Sequence, residues 1–99
     1  MYAGHTDIYL SGHMHGYERF APQNPAGQLD TANGITEIIS GAGGAFFTGF
    51  LAIQPNSLVH NNDTYGVLKL VLHAHSVDYH FVRDPTSGLF SDSGTLTCH

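Results

Sequence analysis

YGVLKLVLHAHSVDYHFV, residues 65–82, is the stretch that decides the fold. Successive side chains of an extended chain point to opposite faces, so Leu68, Leu70 and Leu72 share one face while Val67, Lys69 and Val71 share the other. The leucine set predicts a strand with one firmly buried face. After a polar break at residues 73–76, Val77, Tyr79 and Phe81 alternate with Asp78, His80 and Val82. Two long strands of this kind, so close in the chain, predict a β-hairpin at about residues 65–83.

Outward from the hairpin, the signals are shorter. Residues 35–40, ITEIIS, are rich in β-branched side chains and predict a strand; residues 7–11 carry Ile8, Tyr9 and Leu10 and predict another that ends at Ser11-Gly12. Between them, residues 21–34 mix Pro, Gly, Asn and Asp without an apolar period and read as a surface loop. Gly41, Gly43 and Gly44 form a glycine turn after the second strand, and residues 56–64 read as a polar connection. Apolar residues never recur at helical spacing over more than about two turns, so helix is expected to be scarce. A sheet of this size needs a second layer, and a hairpin with two short strands supplies only part of one. The chain is therefore expected to be a truncated piece of a larger fold, residues 1–99 forming part of one domain.

Composition narrows the function. With 99 residues, 41% of them hydrophobic, the length suits one small domain or part of one. Three Lys and Arg stand against eight Asp and Glu, for a net charge of −5, which leaves little to neutralise a phosphate backbone and argues against nucleic acid as a partner. The eight His are the anomaly, because imidazole is the usual ligand for zinc, iron and similar metals. Cys98 is the single cysteine, which excludes an internal disulfide. The opening residues lack the basic segment and apolar run of a signal peptide, and the apolar stretch 41–53 is glycine-broken and far short of the ~20 residues that cross a bilayer, so no membrane association is expected. Asn62-Asp63-Thr64 is a glycosylation sequon of little weight on its own.

Gly12-His13-Met14-His15 is the strongest chemical signal. Two histidines at i and i+2 on extended chain project to the same side and could hold one metal or two adjacent ones, with Gly12 letting the backbone turn at the strand end. The bland alternative is a pair of solvent-facing histidines in a histidine-rich chain. Gly41, Gly43 and Gly44 lack a following Lys-Ser or Lys-Thr and read as a turn, not a phosphate cradle. His5 reads as incidental; His60, His73, His75, His80 and His99 read as exposed polar residues of loops or of the hairpin's solvent side.

The blocks DIYLSGHMHGYERFAPQ, GITEIISGAGG, YGVLKLVLHAHSVDYHFV and SDSGTLTCH together resemble the C-terminal third of calcineurin-like metallophosphoesterases, in the secreted alkaline or purple acid phosphatase branch. G-H-x-H followed by Y-E-R is the most specific part. The resemblance implies an α/β fold, this chain being the β-rich C-terminal portion of a four-layer α/β/β/α sandwich. It implies a parent enzyme that hydrolyses phosphate esters with two divalent or mixed-valence metal ions, zinc, iron or manganese, and that is secreted or periplasmic. His13 and His15 would be metal ligands, with Gly12, Tyr17, Glu18 and Arg19 as support behind them. The bridging aspartate and the other ligands would lie in a missing N-terminal half, so the chain alone is expected to be inactive. Asp78-Tyr79-His80 matches the family's opening D-x-H pattern only formally, since the hairpin alternation already accounts for it. The competing reading is a stand-alone β-rich binding or structural module whose histidines capture metal at its surface.

Overall fold

The computed structural model describes residues 1–47, 49 and 53–99. Part of the apolar stretch 41–53 therefore lies outside the described residues. The chain is β-rich: helix among the described residues is confined to one 3-10 turn, Tyr2–Gly4. Accordingly, none of them forms a helix long and apolar enough to cross a membrane.

Among the described residues, seven strands make two sheets. The first takes β1 (Ile8–Ser11), β2 (Tyr17–Phe20), β3 (Thr36–Ser40) and β4 (Ser57–Asn61) in the order β1-β3-β2-β4; the second is β5 (Gly66–Leu72), β6 (Ser76–Arg83) and β7 (Ser93–Thr97) in sequence order. β3 runs parallel to β1, with Ile8 opposite Thr36, and antiparallel to β2, with Tyr17 opposite Ser40. β4 completes the sheet against β2, with a register shift between Arg19 and Phe20. In the second sheet β5 and β6 pair from Gly66–Arg83 to Leu72–Val77, and His73 N–H donates to the Ser76 carbonyl at 2.9 Å to close the turn.

Four features differ from the sequence reading, the first being β2 itself, for which no strand was expected. Residues 56–64, expected as a polar connection, contain β4, because the backbone of β2 offers it a ladder that its own composition does not advertise. β7 follows the hairpin as a third strand; its Ser-Gly-Thr-Leu-Thr sequence carries a single large apolar residue. The leucine face of β5 is only half covered, with Leu68 and Leu70 partly buried and Leu72 76% exposed. The firmly buried face belongs to β6, where Val77, Tyr79 and Phe81 alternate with exposed or half-buried residues. As the middle strand, β6 is flanked on both sides, and its inner face lies against the first sheet.

The core sits between the sheets. Tyr17 and Ile38 from the first, with Ala42 just beyond β3, meet Tyr79 and Phe81 from the second. Tyr17, Phe81 and Phe90 form an aromatic triangle with ring centroids 4.9, 5.5 and 5.5 Å apart, in tilted contacts of the kind aromatic quadrupoles favour. Tyr17 and Phe81, fully buried, each contribute about 1.5–3 kcal/mol of transfer free energy, and the half-buried Phe90 less. Gly94, opposite Tyr79 on β7, makes room for the ring: a Cβ there would run into the phenol.

A polar circuit crosses the same seam. The Arg19 guanidinium donates through Nε to Asp92 Oδ2 at 2.8 Å and through Nη2 to Oδ1 at 3.2 Å, a bidentate pair, and Tyr17 Oη donates to Asp92 Oδ2 at 2.7 Å. Arg19 also lies 5.2 Å from the centroid of the Tyr79 ring, a cation–π contact. Burial, then the hydrogen bond to Asp92, pushes the Tyr17 phenol far above its ordinary range. The hydrogen bond to Asp92 likewise raises Arg19, which stays charged. Every buried side-chain polar atom among the described residues has a partner, so this seam has no orphaned charge.

Candidate functional site

The segment Gly12-His13-Met14-His15-Gly16 joins β1 to β2. Those two strands are not neighbours, since β3 lies between them and bonds to both. The link must therefore arch over the C-terminal end of β3, across two strand spacings, or roughly 10 Å. An extended run of this length would overshoot. The surplus is taken up by two successive three-residue turns, in which Met14 N–H donates to the Gly12 carbonyl and Gly16 N–H to the Met14 carbonyl, each at 2.9 Å.

This corrects the expectation that the two histidines lie on extended chain, and it moves the sharp turn from Gly12 to His13. His13 is the centre of the first turn with φ 74°, the rare and strained form of the γ-turn for a residue with a Cβ. Such a conformation costs of order 1–3 kcal/mol and persists because its surroundings fix it. Gly41 is part of that fixing: its N–H donates to the Gly16 carbonyl at 2.9 Å, and a Cβ at this position would collide with the Met14 carbonyl.

His13 is exposed and His15 half-buried. The His15 ring meets Phe46 edge-on at 4.9 Å, and its Nδ1 lies 2.8 Å from the Phe46 carbonyl oxygen. Gly12 is exposed and borders an open groove of about 460 Å³ between the sheets, lined also by Leu10, Ser40, Gly43, Leu68 and Leu70. Tyr17 and Arg19 reach the second sheet through Asp92, while Glu18, on the opposite face of β2, accepts a 2.6 Å hydrogen bond from Ser57 Oγ on β4. What these three residues demonstrably brace is the strand that leaves the histidine turn. Asp92 and Phe46 are the partners that sequence reasoning missed, because each lies in a loop far along the chain.

The remaining histidines are scattered. His5 ends the first turn with φ 60°. His60 and His80 are exposed on β4 and β6. His73 holds Asp78 at 2.8 Å, and Thr95 donates to the same carboxylate at 2.7 Å. His99 is exposed, as expected, yet tied down: its Nε2 lies 2.9 Å from the Gly34 carbonyl oxygen and its backbone N–H donates to Asp7 at 2.8 Å. Cys98 is exposed; partial desolvation, then the Asp7 carboxylate, pushes its thiol above the usual range, the reverse of what activates a nucleophile. Among the described residues, no three His, Cys, Asp or Glu side chains gather in a way that could hold a metal ion.

Two curated proteins of Arabidopsis thaliana resemble the chain. It is 31% identical over 100 residues to one named "Probable inactive purple acid phosphatase 1", with 93% of this chain and 16% of that protein covered. It is 26% identical over 99 residues to "Probable inactive purple acid phosphatase 27", with 92% and 16% covered. The likeness points to the metallophosphoesterase family. Neither a family model nor a solved structure matches. The chain thus spans about 16% of the length of these metallophosphoesterase relatives.

Proposed function

We propose that the chain is the C-terminal portion of a calcineurin-like metallophosphoesterase domain, and that its histidine turn supplies His13 and His15 to a dinuclear metal centre completed by residues outside this chain. The observation that carries the reading is the built turn: two histidines on a link over the end of β3, the backbone of His13 strained, held by Gly16 and Gly41, which admit no Cβ. Expending strain on a pair of freely solvated histidines would have no return, whereas strained backbone concentrates where side chains must be aimed. Imidazole nitrogens fit zinc, iron or manganese as donors. They fall short of a full centre, which needs a carboxylate to offset the repulsion between two cations, so hydrolysis by this chain alone is not proposed.

In the complete domain, a four-layer α/β/β/α sandwich in this proposal, the two bound cations would supply an activated water and neutralise phosphoryl charge. This chain would contribute donors and the buried seam that keeps β2 in place behind them. The substrate class is a phosphate ester, the partner is the rest of the domain, and the parent is secreted or periplasmic.

A second reading has its own support. Both relatives carry "inactive" in their names, and the two sheets here close a core on each other, as a β-rich binding or structural module would require. Titration calorimetry with zinc, comparing the chain with its His13→Ala, His15→Ala double variant, separates the two. Binding that disappears in a folded double variant is the expected result. Binding that is weak and indifferent to the substitutions would overturn the metal proposal and favour the module.

A further inference from the structure

We infer that the backbone carbonyl of Phe46 is a positioning group for His15, fixing its neutral ring as the Nδ1–H tautomer and so leaving the ring's lone pair on Nε2. This deepens the proposed function and rests on it only for its purpose, not for its test. A carbonyl oxygen can accept a hydrogen bond but not donate one, so the 2.8 Å contact requires the proton on Nδ1. The carbonyl is not a casual neighbour. The loop that carries it follows β3 and is tied down on both sides: the Ala42 carbonyl accepts from Gly66 N–H at 3.0 Å at the start of β5, and the Phe47 ring stacks on Tyr65 at 4.3 Å and 22°. Gly44, at φ 146°, provides a conformation between these anchors that a side chain would resist. The Phe46 ring, edge-on to the imidazole, limits its rotation.

The consequence for metal recognition is directional. A histidine that donates from one nitrogen to a fixed carbonyl presents the other in one orientation, as ligating histidines generally require. His15 would therefore enter a metal's coordination through Nε2, with its direction set from the loop after β3 and not from its own turn. The glycine-rich segment 41–44, read from sequence as a plain turn, acquires a role in aiming an imidazole.

Long-range nitrogen–proton NMR on the metal-free full chain, labelled at histidine nitrogens and held well above the ordinary imidazole pKa, reads each tautomer directly. His15 is expected to show a protonated Nδ1. Phe46→Ala keeps the carbonyl and should keep the tautomer, whereas Gly44→Ala, which misroutes the loop, should at least halve the preference while the β5–β6 cross-strand contacts persist. A protonated Nε2 in the parent chain would overturn the inference, as would loss of the preference in Phe46→Ala, which would assign it to the ring. Because no metal is present, a chain with the expected tautomer that fails to bind zinc would sink the metal proposal and leave this one standing.

Discussion

The two sheets differ in how their strands find one another. The second is a meander, β5-β6-β7, in which each strand pairs with the next in sequence. The first is assembled from strands that skip their neighbours, with β3 inserted between β1 and β2 and β4 pairing with β2 although β3 precedes it in sequence. Local pairing writes itself into a short window of sequence; non-local pairing leaves each strand short and dependent on partners elsewhere. The two sheets are nevertheless one structure, because Tyr17 on β2 belongs both to the shared core and to the Asp92 circuit, which Arg19 on the same strand completes.

The sharpest way to break that comparison is to remove the meander's contribution to the shared core. Phe81→Ala deletes a fully buried ring and should cost about 3–5 kcal/mol, whereas Leu72→Ala, at a site 76% exposed, should move stability by less than about 0.5 kcal/mol. Urea titration of both variants checks this; equal costs would mean that the two sheets do not depend on the seam. Next in size is Asp92→Ala, which strands the Arg19 charge and the Tyr17 hydroxyl between the sheets and should cost about 3 kcal/mol. The double variant Arg19→Met, Asp92→Leu should recover much of that loss, since apolar replacement of a buried pair is often neutral.

The smallest effects come from pH, with opposite signs at the two ends of the scale. Asp30, Asp63, Asp78 and Asp84 all have folded-state pKa values held below the ordinary range, Asp30 first by the Tyr2 hydroxyl, Asp63 by Asn61, Asp78 by Thr95 and then His73, and Asp84 by the Thr86 backbone. Their contribution is present above the unfolded value of about 3.9 and is lost as pH falls through the depressed folded values. Tyr17 is raised in the fold, so its contribution is present below about pH 10 and drains away above it, as the unfolded chain gives up the proton first. Thermal melts from pH 7 downward and from pH 9 upward should both lose stability, and Tyr17→Phe should abolish its share of the alkaline loss alone. An alkaline limb that survives that substitution unchanged would remove Tyr17 from the account.

Legibility in the sequence followed the same division. The hairpin could be read because Val77, Tyr79 and Phe81 alternate over a run long enough to show a period. β1 and β3 were readable from their β-branched and apolar runs. β2 was passed over because Tyr-Glu-Arg-Phe places a charged pair on its two faces, and each charge is compatible with a buried strand only through a partner, Ser57 or Asp92, that is remote in sequence. β4 and β7 are polar edge strands whose pairing comes from backbone ladders. At the candidate site, residue types announced His13 and His15, but the strained turn could not be read, since its cause is the position of β3 and the bare Cα of Gly41.

That position of β3 also bears on the order of events in folding. A link as short as residues 12–16 ordinarily lets its two flanking strands zip into a hairpin, but here the space between them belongs to Thr36–Ser40. The N-terminal strands cannot complete their sheet among themselves and must wait, held apart, for a segment made later. During synthesis, the GHMHG segment emerges ahead of the strand that gives it its shape.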